Sequence, residues 1–302
     1  MTNSALRQSL HATLTYFDLF DHPLTLMELA RYRYSFPDDV GASPSLSDIA
    51  TVLGNMGAES HDGFWFLAGR GATVGIREKR YRLAESKFRK ARRVAGLMRL
   101  LPSVRLVAVC NSLAIANAGE ESDIDLFVVV RRGTIWITRL LVVGALAVLG
   151  LRPSARTSAD KVCMSFFVSE ERLSLADVAL RPDDTYLRYW IASLAPLYDA
   201  GGVMDAFLAA NRWAGDRVPG ALEQRRKSGR TAPVWTKPLL PLMRAANPLA
   251  KYIQSRKFPS EIRDAANTGT DVVVSDEILK FHVTDRRADF ETNFRHRISQ
   301  AV

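Results

Sequence analysis

Cysteine is nearly absent: the 302 residues hold only Cys110 and Cys163. Both sit in apolar runs that read as buried strands, where an unpaired thiol behaves as a small hydrophobe. His11, His22, His61, His282 and His296 are scattered, and no pair of them or of the cysteines has zinc-ligand spacing. Two unpaired thiols suit a reducing compartment, so a cytoplasmic location is expected. The opening residues, MTNSALRQSLHATLTYFDLF, lack the basic segment, apolar core and small-residue cleavage site of a secretory signal. A long hydrophobic run is missing too. The most membrane-like stretch, LLVVGALAVLGL, runs for 12 residues between Arg139 and Arg152. A spanning helix needs about 20 apolar residues, so this stretch reads as a core helix and no membrane span is expected. No internal repeat or low-complexity tract is present.

The composition that remains, 47% hydrophobic and 24% charged, excludes a predominantly disordered chain, and the length allows two domains. The net charge of +9 favours anionic partners: nucleic acid, nucleotides or an anionic membrane surface. Residues 1–75 read as three helices and a hairpin. The first helix runs from about Ser4 to Phe20 and ends at His22-Pro23. Thr25 with Glu28, then Ser45 with Asp48, have the spacing of capping boxes at two further helix starts. His61-Asp62-Gly63 marks a bend before FWFL. That order matches a winged helix. The third helix carries no Lys or Arg between Ser45 and Ala58, which argues against groove reading, since DNA readers grip phosphate with cations.

Residues 76–102 form a basic linker helix with a stripe of Leu83, Phe88, Ala91, Val94, Ala95 and Met98. Residues 103–200 alternate strand and helix: VRLVAV, then DIDLFVVV, a helix from Ile135 to Leu151, then KVCMSFFVS. This is the pattern of an α/β or α+β core. Residues 201–302 read as a helical C-terminal region. Its basic arm, 224–260, contains Arg225, Arg226, Lys227, Arg244 and Lys251 and no acid. Both basic elements are expected on the side of the acidic pair described next. Trp136, Trp190 and Trp213 read as core aromatics. Tyr186, Tyr189 and Tyr198 read as helix packing, with base stacking as the alternative.

Asp123 and Asp125 stand two apart at a strand start, so their side chains share a face while Ile124 points into the core. Two carboxylates on one face repel unless a cation lies between them, and a hard divalent ion with oxygen ligands suits them. Upstream, an apolar strand ends at Val109, and Asn111-Ser112 opens a helical turn. A Ser hydroxyl and free backbone N–H groups there suit a phosphate.

This constellation resembles the nucleotidyltransferases of the DNA polymerase beta superfamily. They carry Gly-Ser, about ten residues, then two aspartates alternating with hydrophobic residues. The segments YFDLFDHPLT, GFWFLAGR, SDIDLFVVV, DKVCMSFF and FLAANRW look like a bacterial group with an N-terminal winged helix and this core. The resemblance implies an α+β fold with a mixed sheet and helices. It implies transfer of a nucleoside monophosphate from a nucleoside triphosphate to an acceptor: nucleic acid, protein or small molecule. Asp123 and Asp125 would be catalytic and hold Mg2+, with Mn2+ as the alternative, and Asn111 and Ser112 would bind the nucleotide. Two departures stand out. Asn111, and also Ala116, occupy positions where relatives carry Gly. The third acid expected on a later strand is missing: VCMSFFV offers Ser165, and Asp160, just before it, is the nearest candidate. A catalytically impaired member acting as a binding or assembly partner, or a nucleic-acid binder, is the alternative.

Overall fold

The computed structural model describes residues 2–37, 39, 43–154, 157–223 and 238–300. Arg225, Arg226 and Lys227 of the expected basic arm therefore lie outside the described residues.

The chain begins with α1 (Asn3–Asp18), capped by the Thr2 side chain. Next come β1 (Leu24–Thr25), α2 (Leu26–Tyr32) and α3 (Leu46–Asn55). Thr25 with Glu28 and Ser45 with Asp48 form the two capping boxes expected from their spacing. β2 (Glu59–His61) and β3 (Phe64–Phe66) are joined through Asp62 and Gly63, both at positive φ, which is the backbone of a tight hairpin turn. β1 completes a three-stranded sheet of order β1-β3-β2. A two-residue strand has no periodicity, and the sequence reading missed it.

A 26-residue helix, α4 (Thr73–Met98), leads into the larger unit. There follow β4 (Val104–Val109), the single turn α5 (Asn111–Ala114), β5 (Ile124–Val130), α6 (Ile135–Val148) and β6 (Val162–Ser169). Then come α7 (Thr185–Ser193), β7 (Ala195–Asp199), α8 (Val203–Ala210), α9 (Pro219–Glu223), α10 (Leu239–Arg256) and α11 (Ser260–Ala265). β8 (Val272–Val274), β9 (Ile278–Phe281) and α12 (Arg287–Ser299) close the described chain.

Six strands form one mixed sheet, β7-β4-β5-β6-β9-β8, in which only β5 and β6 run parallel. The protein is thus α+β. The expected helical C-terminal region is corrected here: it also supplies β9, which pairs onto β6, and β8, which pairs onto β9. Short strands such as VVV carry too little pattern to be told from loop. Tyr198 is corrected as well; it lies on β7, not on a helix.

Both faces of the sheet are covered, which explains why its central strands are apolar throughout. Ile124, Leu126, Val128 and Val130 pack with Trp136 of α6 and with Ala91 and Val94 of α4. Phe127 and Val129 pack the other way, with Trp190 of α7 and Phe207 of α8. The core of the N-terminal elements is shared with the rest of the chain, since Leu10 and Phe17 cluster with Tyr189 of α7, Ala221 of α9 and Phe294 of α12. No helix among the described residues is long and apolar enough to cross a membrane.

Candidate functional site

The chain leaves β4 at Cys110 and turns at Asn111, whose φ of 56° lies in the left-handed region. Ala116, at the far end of the turn, has φ of 55°. At both positions the backbone takes a conformation that glycine adopts freely. Asn tolerates it better than Ala does, and here the Asn side chain also has work: its Nδ2 donates to Asp125 Oδ2 at 2.7 Å, and its Oδ1 accepts from Trp190 Nε1 at 2.9 Å.

The loop that returns to β5 is fastened to α4. Lys87, only 2% exposed, donates from Nζ to the carbonyls of Glu120 and Ser122 and to Asp160 Oδ1. Lys90 reaches Asp160 Oδ2 at 2.6 Å. Asp160 therefore spends its carboxylate on two lysines, which hold it below the usual carboxylate range. It is not part of the cluster formed by Asp123, Asp125 and Cys163; its bonds to Lys87 and Lys90 brace the loop in front of Asp123.

That cluster consists of Asp123, Asp125 and Cys163, whose ligand atoms lie within 4.8 Å of one another. The parallel register of β5 on β6 sets Asp125 beside Cys163. Among the described residues no Lys or Arg forms an ion pair with either aspartate. Burial first, and then the neighbouring Asp123 charge, push Asp125 up to about 6. Burial likewise raises Asp123, opposed by the Lys87 charge. Burial and the two carboxylates push the Cys163 thiol up to about 12, so it stays protonated. Cys163, where the sequence predicts a buried hydrophobe, is half-buried and lies against the acids.

The cluster opens on a cavity of about 470 Å3 lined by Asn111, Asp125, Cys163, Ser165, His282 and Arg286, among others. His282 Nε2 lies 3.3 Å from Ser165 Oγ. Burial, and then the Lys280 charge, lower His282 to about 3 and keep the imidazole neutral and weakly basic. The sequence carries no spacing that links His282 to residues 123–165; only the pairing of β9 on β6 brings it there.

A second cavity of about 250 Å3 adjoins the first across Asn111, Tyr186, Trp190 and Phe290. It is lined by Ser112 and by aromatic rings, including Tyr16 and Phe20 of the N-terminal elements and Tyr189. Tyr186 stacks on Phe290 at the shared wall, and Tyr16 stacks on Tyr189 with ring centroids 4.0 Å apart. Tyr186 and Tyr189 thus both pack and line a cavity. Trp136 is a core aromatic as expected, and Trp213 packs at the edge of the second core.

The two basic elements part company. Both pack on the sheet face opposite Asp125, in the core of Ile124 and Leu126, but only α4 also reaches the loop before Asp123, through Lys87. The expectation that both flank the acids is corrected for α10.

No family model matches the chain, and neither a curated protein nor a solved structure matches it.

Proposed function

We propose that this chain binds a nucleoside triphosphate together with a divalent cation held by Asp123 and Asp125, and transfers the nucleoside monophosphate to an acceptor with release of pyrophosphate. The observation that carries the reading is a pair of part-buried carboxylates, with no ion-pair partner among the described residues, of which Asp125 lines the larger cavity. Burying like charges is costly, so the site is arranged for a cation that comes from outside. Two carboxylates suit Mg2+ or Mn2+; the neutral Cys163 thiol is a poor partner for Mg2+ and does not add to its ligand set. Such an ion, when bound, neutralises phosphate charge. The chain's own residues orient it: Asn111 holds Asp125 from one side and Trp190 from the other. Ser112 stands where the resembling sequences place their phosphate-binding serine, and it lines the neighbouring aromatic cavity. Left-handed backbone at Asn111 and Ala116 supports the likeness to the polymerase beta-type turn. Three helices followed by a hairpin support reading the N-terminal elements as a winged helix. The absence of cations on its third helix favours a structural or protein-contact role over groove reading.

A second reading is favoured by Cys163. It is the β6 residue beside Asp125, Ser165 follows it where the third acid is expected, and Asp160 is committed to α4, so no third carboxylate joins the pair. In that reading the chain binds nucleotide and metal but does not turn over. Calorimetry with MgATP and the other triphosphates tests the shared part. Wild type is expected to bind one of them only with the divalent ion, and Asp123→Asn with Asp125→Asn together to abolish that binding. Equal affinity in the double variant sinks the site assignment. Incubating wild type with triphosphates labelled at the α-phosphate in cell extract separates the two readings: label on an acceptor supports transfer, and binding without labelling supports the non-catalytic form.

A further inference from the structure

We infer that the outer surface of α6 and α10 docks on an anionic lipid bilayer, as a peripheral contact that leaves the fold intact. The two helices pack against each other and cover one face of the sheet. Asn247 Oδ1 accepts from the backbone N–H groups of Trp136 and Ile137, and Gln254 Nε2 donates to the Trp136 carbonyl. The inward row of α10, Met243, Asn247, Ala250 and Gln254, is buried. The opposite row, Leu242, Ala245, Leu249, Tyr252 and Arg256, faces solvent, with Leu242 68%, Leu249 62% and Tyr252 54% exposed. α6 adds Leu141 and Val148, the latter 89% exposed, and Leu149 just beyond its end. Single exposed apolar residues need no explanation, but these six on one helix pair do, and Leu239, beside the α10 row, makes a seventh.

Charge decides the occupant. Neither helix contains an Asp or Glu, while α10 carries Arg244, Lys251 and Arg256 and is followed by Lys257. Lys251 is answered by Asp276. Arg256 lies over the Tyr252 ring, and neither it nor Lys257 has a carboxylate partner among the described residues. A second copy docked through the same face would set these cations against one another with no acid between them. Anionic headgroups match them, and the leucines and the Tyr252 ring match the boundary between headgroup and acyl chain. The surface lies on the sheet face opposite Asp125, so docking leaves the cavities open. The inference does not depend on nucleotidyl transfer.

Co-sedimentation of the full chain with vesicles tests it. Vesicles of phosphatidylcholine with one part in three phosphatidylglycerol are expected to pellet the protein at low salt, and phosphatidylcholine alone is not. Leu242→Glu with Leu249→Glu should weaken binding by at least about tenfold, and Arg256→Glu by about fivefold or more. Both positions are exposed, so the melting temperature should be unchanged, and that is checked first. Failure to pellet with anionic vesicles, equal binding to neutral vesicles, or unimpaired binding of the double variant overturns the inference. So does a wild-type dimer in ultracentrifugation that the double variant abolishes, which would assign the face to a second copy.

Discussion

Asp125→Asn should make the metal-free protein more stable. In the folded chain Asp125 is pushed from the ordinary 3.8 up to about 6, by burial and then by the Asp123 charge. An acid whose proton is held more tightly in the folded state costs nothing below its unfolded value, where both states are protonated. It weakens the fold progressively as pH rises from 3.8 through about 6, and the cost is complete above that. Tenfold in proton affinity is worth about 1.4 kcal/mol, so the full cost at neutral pH is up to about 3 kcal/mol. Part of the shift belongs to the pair and not to one residue, which brings the expected gain to about 1–3 kcal/mol. The asparagine can still accept the bond from Asn111 Nδ2, so little is lost on replacement. For a chain of this size that gain is a rise in Tm of about 2–6 °C. The assay is thermal unfolding in a chelator across pH, then with added Mg2+ or Mn2+. The gap between variant and wild type should be widest at neutral pH and close near about pH 4. Only wild type should gain further from the divalent ion. A variant that melts at or below wild type in chelator at neutral pH refutes the electrostatic account of the site.

Two further outcomes follow from the same electrostatics. His22 is 2% exposed, and burial, then the Arg77 charge, lower it from 6.5 to about 3. It is a base that must stay neutral to fold, so stability is full above about pH 6.5 and falls by up to about 1.4 kcal/mol per pH unit from there toward 3; urea unfolding of wild type and His22→Asn at several pH values should show a shallower acid slope in the variant, and parallel slopes reject the assignment. Asp160→Asn should lower Tm, because it leaves Lys87 and Lys90 without their carboxylate, yet it should keep the Tm rise caused by divalent ions. Loss of that rise would return Asp160 to the metal site.

The elements that could be read from sequence are those whose signal is local. A capping box needs two residues three apart, and both expected boxes formed. The long basic helix has its stripe, and Ala91, Val94, Ala95 and Met98 are all buried, with Leu83 and Phe88 half-buried. β5 announces itself by one acid pair followed by an unbroken apolar run. What was missed rests on pairing between distant segments. β1 is two residues long, and β9 lies more than a hundred residues from β6, the strand it extends. Short apolar pieces become strands only when an edge is there to receive them, and a single sequence carries no record of that edge.

The same distinction runs through the candidate site. Asp123 and Asp125 share a face because strand geometry makes alternate residues do so, and no tertiary knowledge is needed. Asp160 was chosen as third acid by proximity in sequence, but proximity carries no direction. Its backbone is left-handed, and its side chain turns to α4 and two lysines that were themselves read only as a basic stripe. Cys163 is the residue the parallel register delivers, and alternation on β6 places Ser165 on the same side, next to His282. Pairing DIDLFVVV with VCMSFFVS in parallel, acid pair first, is what sets Cys163 and Ser165 beside the acids. That pairing alone leaves His282 hidden. The acids are thus supported by three independent layers: Asn111 from the turn, Lys87 through the loop carbonyls, and Cys163 across the strand pair. None of the three supplies a full compensating charge to Asp125. A carboxylate held in that part-buried place without a full compensating charge weakens the fold, and the Asp125→Asn measurement reads that cost directly.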